Sequence, residues 1–396
     1  MIPALNISWA AHKGAAPDTG KKAVTFLGQF MAPGSFEMTS HSPDVILFMS
    51  GGSERTAISL AQPGHPVLLL AIRGNNAYAA ATEVMAWMKA NNRYALLSDA
   101  RDAFESGLVE RWWRTVNVWK NLQGQKAALI GTVSEWLIAS EVPAERLRNV
   151  MGVHLVEIPW SGLPDYSQMV PDKSLMSRFH GYPVKGLEDA ARVLTLLRKE
   201  VEKQSLSAIA VECFSLVQQK KVTACLALAQ LNTEGVTAAC EGDLASMAGM
   251  MLVRELTGMV PWMANTTRID GQTLTLSHCT AAFNLVDKVS LPTHYETDTS
   301  LAVKGWVTAS EVTLFRLSAT LEEAMILTGK VTGHPHHHDA CRTQVEIVIS
   351  PSAAEQLKNQ PLGNHLLMIP GNWSDPLEIM CCYKGMKRSI MNTQTR

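Results

Sequence analysis

Hydrophobic runs and amphipathic stretches alternate along the first two thirds of the chain. After an irregular start of about twenty residues, Val24–Gly28 reads as a short strand and Asp44–Ser50 as a buried one. Glu54–Leu60 follows as a helix, Pro66–Ile72 as another apolar run, and Tyr94–Leu97 as a further strand. Between the last two, Ala77–Lys89 places Ala81, Val84, Met85 and Met88 on one helical face. The alternation starts again near residue 125. Lys126–Gly131 and Val153–Pro159 read as strands, with Ser134-Glu135-Trp136 and a short helix between them, and Leu187–Gln204 as an amphipathic helix. Ser207–Cys213, Thr223–Asn232 and Val236–Asp243 then spell strand, helix, strand, the unit that makes two strands parallel. Leu244–Leu256 reads as a helix stopped by Gly258.

Beyond about residue 265 the helical period fades. Thr273–Ser277, Ala302–Val307, Glu311–Leu317, Glu322–Leu327 and Gln344–Ile349 read as short strands with no strong helix between them. The expectation is an α/β protein with two doubly wound parallel-sheet domains, 1–124 and 125–265, followed by a β-rich C-terminal domain, 266–396.

Composition narrows the function classes. With 35 basic and 36 acidic residues among 396, net charge is −1, which gives no electrostatic footprint for nucleic acid or an anionic membrane. No apolar run approaches the roughly 20 residues of a membrane span. Seven cysteines without paired spacing, and a start without a basic and then apolar leader, fit a reducing cytoplasm. There is no GxGxxG, GxxxxGK[ST] or Gly-x-Ser-x-Gly, so no dinucleotide, P-loop or nucleophile-elbow chemistry follows.

The sharpest signal is a pair of acids. Glu212 and Glu241 each stand where an apolar strand stops, and parallel strands put their carboxyl ends on one sheet edge, where open α/β sheets bind ligands. Two partly desolvated carboxylates there must share a proton or a cation. Oxygen-rich sites with one or two imidazoles suit Mn²⁺ or Mg²⁺. Asp243 is either a third acid or the N-cap of the helix that begins beside it. His365, in a Gly-Asn-His turn before an apolar strand, and His278, at a strand end, are either structural or site residues. The run from His334 to His338 is either a solvated loop or a pocket rim, and Gly51-Gly52-Ser53 could cradle hydroxyl groups.

Glu212, Leu226–Leu231, Cys240-Glu241-Gly242-Asp243 ahead of an apolar helix, Ser277-His278-Cys279, Cys341-Arg342-Thr343 and Gly363-Asn364-His365 together resemble the L-fucose/L-arabinose isomerase superfamily. Looser matches are Ser50–Glu54 and Ser134–Leu137. The resemblance implies two α/β domains and a β-rich one, a cytoplasmic homo-oligomer (trimer or hexamer), a small sugar substrate and Mn²⁺ or a similar divalent cation. It implies aldose–ketose isomerisation through an ene-diolate. Carried over, Glu212, Glu241 and His365 hold the metal, the two glutamates also move protons, and Asp243, His278, Arg342, Ser53 and Trp136 contact substrate.

Overall fold

The computed structural model describes residues 3–182 and 184–389. The fold is mixed α/β, with two parallel sheets and one β-rich mixed sheet. The chain divides into two compact units: Met1–Lys120 with Glu378–Gly385, and Asn121–Leu377 with Met386–Arg396.

The first unit carries β1 (Leu5–Ala10), β2 (Phe36–Met38), β3 (Val45–Phe48), β4 (Val67–Ala71) and β5 (Ala95–Asp99), all parallel, in the order β2-β1-β3-β4-β5. β3 and β4 are buried on both faces, so they read as continuous apolar runs. Val24–Gly28, expected as a strand, instead lies largely within the helix Thr19–Leu27, whose buried Thr19, Ala23 and Leu27 recur every four residues. β1 falls inside the stretch expected to be irregular.

The second unit opens with a four-stranded parallel sheet. Its strands are β6 (Lys126–Ile130), β7 (His154–Ile158), β8 (Ala208–Val211) and β9 (Thr237–Cys240), ordered β7-β6-β8-β9. The strands β10 (Trp262–Asp270), β11 (Thr273–His278), β12 (Val286–Ser290), β13 (Lys304–Val307), β14 (Glu311–Leu317), β15 (Glu323–Gly333), β16 (Thr343–Ile349), β17 (His365–Pro370) and β18 (Lys387–Arg388) follow. β12 and β13 form a separate ribbon. The others form the order β14-β17-β10-β11-β16-β15-β18, and an added β14–β15 pairing closes six of them into a ring. Within the ring the pairings are antiparallel, and β18 joins β15 in parallel.

Among the described residues no helix separates the strands from Thr273 to Ile349, as expected; the helices of this region, Pro351–Asn359 and Ser374–Tyr383, come after them. Pro351–Asn359 begins on Ser350, whose Oγ accepts from the N–H of Ala353 at 3.2 Å, with proline in the first turn. The helix Leu244–Thr257 touches β8 and β9 of the parallel sheet and β14 and β17 of the ring. Its residues from Leu244 to Val253 are buried all round, as a helix between two layers must be. Among the described residues no helix is long and apolar enough to cross a membrane.

Candidate metal centre

β8 and β9 pair in parallel with Val211 opposite Cys240, so Glu212 and Glu241 leave the sheet side by side at its carboxyl edge. Their paths then differ. Glu212 turns back on its own chain, where Oε1 accepts the N–H of Ser215 at 2.9 Å at the start of the helix Phe214–Lys220. Glu241 adopts left-handed backbone at φ +58° and Gly242 continues it at φ +67°. A non-glycine residue there is strained by about 1–3 kcal/mol, and only glycine fits at 242, because a Cβ would collide with the carbonyl of Thr132. The turn is held from outside by the N–H of Ser134, which donates to the carbonyl of Glu241 at 3.1 Å.

This turn aims the Glu241 carboxylate at the β-rich sheet. There β17 and β11 flank β10, and Asn265 of β10 faces both His365 and Ser277, which brings His365 and His278 to one edge. Their rings lie 5.4 Å apart. Each imidazole is gripped by Nδ1: His278 by the Thr280 hydroxyl at 3.0 Å, and His365 by Oδ2 of Asp243 at 2.8 Å. Each Nε2 is buried without a hydrogen-bond partner. The two stand 3.5 and 3.6 Å from Oε1 of Glu241.

Buried polar atoms are almost always satisfied, so two orphaned nitrogens converging on one carboxylate oxygen call for a shared partner. One donor atom from each of Glu241, His278 and His365 lies within 4.8 Å of the others. A carboxylate and two imidazoles, each imidazole with its other nitrogen occupied, form a donor set for a divalent cation. Trp136 completes the surround. It is 53% exposed, yet its Nε1 donates to Oε2 of Glu241 at 2.7 Å.

Behind His365 stands a sealed polar network. Asp243 caps the helix Leu244–Thr257 by accepting the N–H of Ser246 at 2.6 Å. Its Oδ2 also accepts from Ser246 Oγ, Ser140 Oγ and Arg316 Nη1, at 2.8, 3.2 and 2.9 Å. Asp243 and Arg316 are both fully buried. Gly363 makes room for the guanidinium, since a Cβ there would lie 2.6 Å from Nη2. Asp243 is therefore the cap and at the same time the group that orients the His365 imidazole.

The electrostatics follow from these contacts. Burial pushes the Glu241 carboxyl up, but the facing His278 and His365 imidazoles outweigh it and hold the group well below the usual carboxylate range. Asp243 behaves likewise, with the Arg316 charge and then His365 overcoming burial. Burial alone would lower His365; Asp243 and Glu241 raise it to about 9.

Arg342 spans toward residues 291–303, donating from Nε to the carbonyl of Thr293 at 2.7 Å. Ser53 belongs to the first unit, where its hydroxyl donates to the carbonyl of Ser50 at 2.7 Å. In the histidine run, His334 stacks on Trp306 at 5.2 Å and His336 sits 3.1 Å from the Lys304 ammonium. Sequence reasoning did not find Thr280, Ser140 or Arg316. They act only as partners of buried groups, and no local pattern marks that.

No family model matches the chain. Over 273 residues it is 24% identical to the sulfoquinovose isomerases of Priestia aryabhattai and Priestia megaterium. The match covers 64% of this chain, and the chain spans 61% of the length of those curated relatives.

Proposed function

We propose that the protein is a metal-dependent aldose–ketose isomerase acting on a monosaccharide or a substituted sugar. The observation that carries this is the convergence of the orphaned Nε2 atoms of His278 and His365 on Oε1 of Glu241. The similarity to two sulfoquinovose isomerases supports the sugar substrate and the reaction class. Mn²⁺ and a homo-oligomeric state belong to the same proposal.

Glu241, His278 and His365 would hold the cation, which would supply Lewis-acid polarisation of the substrate carbonyl and its neighbouring hydroxyl. Trp136 fixes the second oxygen of Glu241, so the carboxylate offers Oε1 in one orientation. Glu212, which leaves the neighbouring strand beside Glu241, would take the proton from the carbon next to the carbonyl and return it to the adjacent carbon. Its Oε1 is anchored by the Ser215 N–H, which limits its swing.

The test is a panel of aldoses and ketoses with added Mn²⁺ in deuterated water. Deuterium should enter the product at the carbon beside the carbonyl, and Glu212→Gln and Glu241→Gln should each abolish turnover while leaving the fold intact. Full turnover in both variants, or turnover indifferent to metal removal, sinks the proposal.

A further inference from the structure

Beside the three donors, residues 291–303 form a connection between β12 and β13 that is tied down at both ends. Thr223 donates its N–H to Ser300 Oγ at 3.1 Å and its hydroxyl to the carbonyl of Leu301, while Arg342 holds the carbonyl of Thr293. Within it His294 is only 5% exposed. Its Nδ1 lies 3.1 Å from the Thr297 hydroxyl and its Nε2 3.2 Å from Oε2 of Glu296. The backbone closes round it through the N–H of Asp298, which donates to the carbonyl of His294 at 2.9 Å. The ring is thus fixed as firmly as the two metal-facing imidazoles, but it points at a carboxylate that is 42% exposed.

That carboxylate is connected to the metal centre by an aromatic wall. His294 meets Phe214 edge-on at 5.9 Å, Phe214 meets Trp136 edge-on at 4.8 Å, and Trp136 donates to Glu241. Burial, opposed by His294, raises the Glu296 carboxyl, and the charge of Glu241 adds to the rise, so Glu296 shares the electrostatic field of the centre. A wall of aromatic faces with a fixed acceptor at the far end suits a chain of C–H and O–H groups.

We propose that Glu296, oriented by His294, accepts a hydrogen bond from a substrate hydroxyl away from the carbonyl end and so sets which polyhydroxylated substrates fit. This inference rests on the isomerase reading. Oε2 takes the histidine, and Oε1 is left for the ligand.

The experiment compares metal-loaded wild type, Glu296→Gln, Glu296→Asp and His294→Asn. It reads KM and kcat on the best aldose of the panel, and by calorimetry the dissociation constant of the matching sugar alcohol, which cannot isomerise. Losing a hydrogen bond to a charged group should raise KM and the dissociation constant by about ten- to a hundredfold in Glu296→Gln. kcat should stay within about threefold. His294→Asn should move in the same direction by less, and Glu296→Asp should recover part of the loss. Unchanged KM and alditol affinity in Glu296→Gln overturn the inference while the isomerase reading stands, as does a fall in kcat at constant KM. A wild type that neither turns over nor binds any sugar overturns both. If melting shows that Glu296→Gln fails to fold, Thr297→Val, which frees Nδ1 of His294, must raise KM instead, and an unchanged value overturns the inference.

Discussion

Oδ2 of Asp243 lies 2.8 Å from Nδ1 of His365, and neither side chain reaches solvent. The contact fixes which nitrogen of His365 is left to face Glu241. Asp243→Asn keeps the shape but removes the charge opposite Arg316 and turns one acceptor into a donor. Breaking a buried pair from one side costs about 3–5 kcal/mol, and losing the partner of a metal-ligating histidine weakens metal binding about 10- to 100-fold. Denaturant unfolding and metal titration of the same variant check both. Wild-type metal affinity in Asp243→Asn would show that the contact only supports the fold.

Metal binding should release a proton. His365 is raised to about 9, so at neutral pH without metal both its nitrogens carry hydrogen. A cation on Nε2 must displace one of them, so binding should release about one proton and tighten by about tenfold per pH unit up to about pH 9. Calorimetry in buffers of different ionisation enthalpy reads the proton count, and a count of zero at pH 7 would mean that His365 is neutral before the ion binds. The sign for the metal-free fold is the reverse. A raised histidine contributes stability that is fully present below its ordinary value of 6.5 and is lost as pH rises toward about 9.

Gly242→Ala tests the turn that aims Glu241. The position has φ +67°, and the added methyl would meet the Thr132 carbonyl and come within 3.0 Å of the Val133 Cα. Strain and overpacking together should destabilise by about 2–5 kcal/mol and displace Glu241. Thermal unfolding checks the first and metal affinity the second. A variant with the wild-type melting temperature would mean that the turn relaxes at no cost.

Acid sensitivity of the first unit should centre on Asp44. It is fully buried, accepts the N–H of Asn6 at 3.0 Å, and has Lys120 Nζ at 3.2 Å and His65 Nε2 at 3.3 Å. Burial raises it, but His65, Asn6 and Lys120 together bring it below 3.8. A depressed carboxyl contributes stability above its unfolded value and loses it as pH falls through the folded one. Asp44→Asn should cost about 2–3 kcal/mol at pH 7 and flatten the decline below pH 4. Urea unfolding across pH 3–7 shows whether the two curves converge.

The sequence exposed the elements with a clean period and hid those set by tertiary context. Leu187–Gln204 and Glu54–Leu60 were readable to the residue because their apolar spacing and ends are local. Leu5–Ala10 was not, because a short strand beside a glycine- and proline-bearing stretch has too few positions to show a period. The carboxyl edge bearing Glu212 and Glu241 followed from the strand–helix–strand pattern. The approach of His278 to Glu241 did not, since it depends on the left-handed turn at Glu241 and on the antiparallel register of β10 with β11 and β17. That Asp243 both caps a helix and orients His365 is a fact of tertiary contact, which sequence cannot show.

The donors of the centre come from both layers that sandwich the helix Leu244–Thr257: Glu241 from the end of the parallel sheet, and His278 and His365 from the ring of strands. An ion held by all three is therefore a reversible cross-link between segments far apart in the chain. At a free concentration a hundred times its dissociation constant it adds about 2.7 kcal/mol to the folded state. Occupancy would then be written into the protein's lifetime as well as its activity: a molecule stripped of its ion becomes easier to unfold and to digest.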